Sequence, residues 1–180
     1  MIWNGYNETP RDFWRSAQSL IEHSAGAPCR TGNLYRLPAR RSEPIYSADI
    51  EEAGIPVSVQ TLEDQIASTD AMIISTPEYN KNISGVLKNT LDWVSRTPGN
   101  PWARKPVAIM SATAGRSGRE RAQNSLRLCL QLFAPRLLNG PEVLVGSAHD
   151  AFASGILINK RYQKAVGALM AALRAEVSMR

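Results

Sequence analysis

Histidine and cysteine are scarce in this chain of 180 residues, and much catalytic and metal chemistry is scarce with them. The two histidines, His23 and His149, stand at what reads as a helix end and in a loop, as a terminal cap and a surface residue, and no triad is legible around them. The two cysteines, Cys29 and Cys129, lie far apart and have no partners at metal-ligand spacing, so no metal site is expected. Cys129 falls in an apolar helical run and reads as a core thiol, and a reduced, cytoplasmic setting is the expectation. No apolar run approaches the roughly 20 residues that span a bilayer. The first fourteen residues lack the apolar core of a secretory signal, so neither membrane insertion nor export is expected. Internal repeats, low-complexity segments and long linkers are absent as well.

Hydrophobic residues make up 43% of the sequence, enough for one domain spanning residues 1–180 with a real core. The formal charge is +5, from 21 basic and 16 acidic side chains. Part of the excess is local, at Arg30, Arg36, Arg40 and Arg41 and again at Arg116, Arg119, Arg121 and Arg127. Such clusters form a solvated face or attract an anionic cofactor or substrate. No basic helix carries interleaved aromatics, and nucleic-acid binding is not expected.

Apolar runs and helical periodicities alternate along the chain. Thr9-Pro10-Arg11-Asp12 reads as a helix start, followed by inward positions Phe13, Trp14, Ala17, Leu20 and Ile21. Asn33 to Leu37 is a strand candidate, Ser58 to Ala67 a helix, Ala71 to Ser75 a strand and Ser84 to Arg96 a helix capped by Ser84. A strand over Val107 to Met110, a loop over Gly115 to Gly118, a helix over Glu120 to Phe133, a strand over Glu142 to Val145 and a closing helix over Tyr162 to Val177 complete the series. In the Glu120 helix, Ala122, Leu126, Leu128, Cys129 and Leu132 are available for packing. Alternation of this kind predicts a parallel sheet covered on both faces. The loop Glu78-Tyr79-Asn80-Lys81-Asn82 leaves the carboxyl end of a strand and leads into a helix, which is where open α/β sheets bind ligands.

The run Pro77-Glu78-Tyr79-Asn80, then Ser84-Gly85-Val86-Leu87-Lys88-Asn89 and Asp92-Trp93, closely resembles a signature of the NAD(P)H-dependent FMN reductase family, which includes chromate and quinone reductases and some azoreductases. Ser111-Ala112-Thr113-Ala114-Gly115 resembles that family's second flavin loop, and Arg121-Ala122-Gln123 and Leu126-Arg127 the helix after it. The likeness is good from about Pro44 to Gly146. It implies a flavodoxin-like, doubly wound parallel sheet of five strands. It implies FMN as cofactor, with Pro77, Glu78, Tyr79 and Asn80 along the edge of the ring and Ser111, Ala112, Thr113 and Gly115 on its pyrimidine side. NADPH or NADH would serve as co-substrate, a quinone, azo compound, metal oxyanion or free flavin as the small-molecule acceptor. A homodimer or homotetramer is also implied, with Trp93 and Trp102 as interface candidates. Because the cofactor carries the chemistry, no catalytic acid or base is required of the protein. Taken singly, Glu78 reads as a solvated loop acid, Tyr79 as a surface aromatic, and Lys88 with Asp92 as a surface ion pair.

The N-terminal end departs from the family pattern. The first strand is reduced to Met1 to Asn4, and the phosphate loop is replaced by Gly5 to Asp12, where Glu8 and Asp12 add negative charge and Pro10 removes an amide. Thr9 and Arg11 are the plausible phosphate ligands there. Three explanations stand open: a start that lies elsewhere, an N-terminal segment out of register with the ancestral protein, or divergence to a member that binds FMN weakly or not at all. The last supports a second reading, a non-catalytic or weakly FMN-binding flavodoxin-like module with an impaired phosphate loop, serving as an FMN carrier or a redox-partner binding protein.

Overall fold

The computed structural model describes residues 2–3, 37–38, 43–113, 115, 120–154 and 156–179. The central sheet is parallel throughout. Its strands are β1 (Ile2–Trp3), β2 (Leu37–Pro38), β3 (Met72–Thr76), β4 (Pro106–Ala112), β5 (Arg136–Leu137) and β6 (Val143–Val145). The order is β2-β1-β3-β4-β5, and β6 also pairs with β4. β5 meets the first residues of β4 (Pro106 opposite Arg136), whereas β6 meets the last (Ala112 opposite Val145). The two pieces therefore share one strand position, and the five positions run 2-1-3-4-5, the flavodoxin-like order. The expected first strand is present and short: Ile2 and Trp3 pair with Leu37 and Pro38 on one side and with Ile74 and Ser75 on the other. Of the predicted Asn33 to Leu37 strand, only Leu37 falls among the described residues, as the first residue of β2.

Burial explains why β3 and β4 read as unbroken apolar runs. All five residues of β3 and all but the last of β4 are buried, as in a sheet covered on both faces. Successive side chains point to opposite faces. Ile73, Ala108 and Met110 join one cluster with Val166, Leu169, Met170 and Leu173 of the closing helix α6 (Lys160–Ser178). Met72, Ile74, Val107 and Ile109 join the other, against α2 (Val57–Ala67), α3 (Gly85–Val94) and α4 (Glu120–Leu130). The described residues also form two short helices, α1 (Ala48–Ala53) and α5 (Ala148–Ala151), and a small hairpin of β7 (Phe152–Ala153) and β8 (Ile156–Leu157).

Helix ends follow local chemistry. Ser84 adopts extended backbone and its hydroxyl accepts from the Leu87 N–H at 3.3 Å, the expected cap of α3. Asn159 caps α6 by accepting from the N–H groups of Arg161 and Tyr162. The C-terminal end of α2 is closed from outside: Lys105, buried at the foot of β4, donates to the carbonyls of Ile66, Ala67 and Thr69.

Two expectations about packing are corrected. Trp93 and Trp102 are both 0% exposed and belong to the interior, not to an interface. Trp93 donates its indole N–H to the Pro44 carbonyl at 2.7 Å and meets Tyr46 edge-on, because residues 44–46 lie along the outer side of α3. Trp102 stacks on Phe133 at 5.1 Å between ring centres. Conversely, Leu128 and Leu132 are 67% and 73% exposed, since the inward stripe of α4 runs through Ala122, Leu126 and Leu130. Cys129 is half-buried at the margin of that core. Lys88 and Asp92 form the expected exposed ion pair.

Candidate functional site

The register between β3 and β4 sets the geometry. Thr76 lies opposite Ser111, so the Pro77 loop and the Ala112 to Gly115 loop leave neighbouring strands at the same carboxyl edge. β6 ends beside them, with Ala112 opposite Val145. The β1 neighbour of β3 gives a crossover in the opposite sense, which makes this edge the topological switch point of the sheet.

The loop after β3 is closed by a two-residue turn. Tyr79 and Asn82 exchange backbone hydrogen bonds, each of 3.0 Å, and Asn80 and Lys81 between them have φ of 50° and 68°. Positive φ at both central residues is the type I′ geometry. Asparagine tolerates it, whereas a lysine there costs about 1 kcal/mol, and such strain persists only where the surroundings fix it. The surroundings do so. The Asn82 side chain accepts from the Ile83 N–H at 2.8 Å and from the Ser125 hydroxyl of α4. The Thr76 hydroxyl donates to the Pro77 carbonyl at 2.9 Å.

Glu78 overturns the expectation of a solvated acid. It is 6% exposed, and its carboxylate accepts from the Ala122 N–H at 3.2 Å. It thus satisfies a donor in the first turn of α4, where the helix dipole also favours a negative charge. Tyr79 lies on the outside of the loop at 44% exposure and Asn80 is exposed beside it.

The second loop is held as firmly. The Thr113 N–H donates to the Val145 carbonyl at 2.9 Å, its carbonyl accepts from Ala148 N–H at 2.8 Å, and its hydroxyl accepts from Gly115 N–H at 3.1 Å. Gly115 in turn accepts from Ser147 N–H at 2.9 Å. Ser111 is fully buried, and its hydroxyl accepts from the Gln123 amide at 2.9 Å; the same amide nitrogen donates to the Val143 carbonyl. Ser111 and Glu78 therefore spend their side chains inside the protein. Among the described residues expected at the site, those that reach the surface of this edge are Tyr79, Asn80, Gly115 and partly buried Ala112. Thr9 and Arg11 lie outside the described residues.

The sequence pattern gave no role to Gln123, Ser125 or Asn82. Gln123 alone carried a signal, an amide at an inward position of an amphipathic helix between Ala122 and Leu126.

The arrangement suits a flat, polar-edged ring. Among the described residues it presents hydrogen-bonded backbone, the exposed ring of Tyr79 and small residues on the facing loop, at a switch point where open α/β sheets bind ligands. Fold and edge together define a flavodoxin-like α/β protein with two loops gathered at the carboxyl edge of its switch point.

Comparison with known proteins agrees. The family model for NADPH-dependent FMN reductases matches residues 7–150. An NAD(P)H-dependent FMN reductase of Pseudomonas aeruginosa is 42% identical over 132 residues, covering 73% of this chain and 71% of that protein. A quinone reductase of Escherichia coli is 41% identical over 111 residues, covering 61% of this chain and 59% of that protein. Among solved structures, the flavoenzyme NAD(P)H:(acceptor) oxidoreductase FerB of Paracoccus denitrificans superposes with a TM-score of 0.80 at 25% identity, covering 99% of this chain and 96% of that one. The chain belongs to the NADPH-dependent FMN reductase family. FMN with NAD(P)H as co-substrate is the pairing that fits this family. Among the described residues, no helix is long and apolar enough to cross a membrane.

Proposed function

We propose that this protein is an FMN-dependent NAD(P)H oxidoreductase that reduces a small acceptor: a quinone, an azo compound, a metal oxyanion or free flavin. The observation that carries this reading is the pairing of Thr76 with Ser111, which brings the two loops of the family signature to one edge of the sheet. Bound FMN supplies hydride acceptance from reduced nicotinamide and electron delivery to the acceptor. The backbone of Pro77 to Asn80 holds the ring edge, and Tyr79 packs beside it. Ala112, Thr113 and Gly115 approach from the facing loop, where small side chains permit contact. Ser111 and Glu78 serve the site from within by fixing these loops. Thr9 and Arg11 are assigned to the phosphate. The protein acts in the cytoplasm as a homodimer or homotetramer.

The test is a flavin titration followed by turnover. Purified protein is expected to bind FMN with a perturbed flavin spectrum and to oxidise NADPH in the presence of a quinone faster than free flavin does. FMN binding without turnover above free flavin would favour the second reading, a flavodoxin-like module. That alternative draws on the acidic, proline-bearing segment Gly5 to Asp12. Absence of any FMN binding would refute the first reading and leave the second, a module whose phosphate loop is impaired.

A further inference from the structure

Three residues in the first half of α4 reach three different parts of the carboxyl edge. The Ala122 N–H meets the Glu78 carboxylate of the first loop. The Ser125 hydroxyl meets Asn82, the residue that closes the type I′ turn. Between them, the Gln123 amide bridges Ser111 at the end of β4 and Val143 of β6. The first loop is thus tied to the helix on both sides of its strained turn, and the same helix is pinned to the strands that launch the second loop. Both Glu78 and Gln123 are more than nine-tenths buried, so water does not compete for these bonds.

We propose that α4 is a brace that sets the spacing between the two ring-binding loops, and that Glu78 is its principal positioning residue. The carboxylate does not touch the ring. It transmits the position of α4 to the Pro77 to Asn80 backbone, which then meets the cofactor already ordered. A loop held in its bound shape avoids the ordering cost at binding, so the brace is read out as cofactor affinity. This inference rests on the flavin reading above.

The full-length protein is tested as Glu78→Ala, Glu78→Gln and Ser125→Ala, by FMN titration and by amide hydrogen exchange of the flavin-free form. Glu78→Ala is expected to weaken FMN binding by about tenfold or more, the scale of one lost hydrogen bond to a charged group. It should also speed exchange across residues 79–84 and the first turn of α4. Glu78→Gln keeps an acceptor oxygen at the same reach and is expected to recover most of the affinity, which a generic loss of folding stability would not produce. Ser125→Ala removes the second tie from a partly exposed position and is expected to loosen the same peptide; it decides the matter should Glu78→Ala fail to fold. Unchanged FMN affinity in the Glu78→Ala and Ser125→Ala variants would overturn the proposal while leaving the flavin reading intact. So would a Glu78→Gln variant as weak as Glu78→Ala. Wild-type protein that binds no FMN would overturn the flavin reading itself, and this inference with it.

Discussion

Replacing Lys105 by methionine tests how the site-bearing strands are anchored. Lys105 is 4% exposed, and its ammonium lies beneath the C-terminal end of α2. It donates to the Ile66 carbonyl, to the Thr69 carbonyl at 2.6 Å and, at 3.3 Å each, to the Ala67 carbonyl and the Thr69 hydroxyl. Methionine keeps most of the stem's volume and removes every donor. Losing the two close bonds, with a charged donor in each, costs about 3–6 kcal/mol, because each such bond contributes about 1.5–3 kcal/mol. The cation at a helix C-terminus adds about 0.3–1 kcal/mol. Against this, the variant no longer desolvates an ammonium, a penalty of several kcal/mol in real proteins. The net expectation is a loss of about 2–4 kcal/mol, and for a chain of this length about 2–4 °C of Tm per kcal/mol. Urea unfolding and a thermal melt, both followed by circular dichroism, read the effect. A variant within about 0.5 kcal/mol of wild type, or more stable, would refute the reasoning: desolvation of the ammonium would then match everything its bonds return.

Two further outcomes follow from contacts around α3. Trp93→Phe removes the indole donor to the Pro44 carbonyl and leaves a gap beside Tyr46; a loss of about 2–3 kcal/mol in urea unfolding is expected, and a loss under about 0.5 kcal/mol would show that the 44–46 segment is not anchored there. Tyr46 donates its hydroxyl to Glu51 at 2.6 Å, and this bond, ahead of desolvation, raises its pKa above the ordinary value of 10.0. Because the folded state holds that proton more tightly, the contribution to stability is complete below pH 10 and is lost as pH rises through the raised value. The difference in phenolate absorbance between wild type and Tyr46→Phe should therefore have its midpoint above pH 10; a midpoint at or below 10 would contradict the bond.

What could be read from the residues was governed by distance along the chain. β3, β4 and the capped helix α3 announce themselves through contiguous apolar runs and the Ser84 cap, all local signals. α2, α4 and α6 follow from their apolar spacing, with ends displaced by a residue or a few. β5, β7 and β8 are two residues each, too short to carry any alternation, and α1 buries no residue and has no side-chain cap at Ser47, so it leaves no apolar stripe or capping signal in the sequence. The site divides in the same way. The loops were legible because a signature is contiguous. The role of Glu78 was not, since its partner Ala122 lies 44 residues away. The burial of Trp93 and the exposure of Leu128 and Leu132 are likewise settled by which segment covers each helix, and that depends on the whole topology.

The divided strand formed by β5 and β6 bears on whether a further strand could add to this side of the sheet. Beyond β4, the described part of this border consists of two residues, a polar excursion through Asn139 to Glu142, and three residues more. A border so interrupted offers a second chain no continuous row of amides and carbonyls to pair with. The protein thereby guards this flank of its sheet against runaway strand addition.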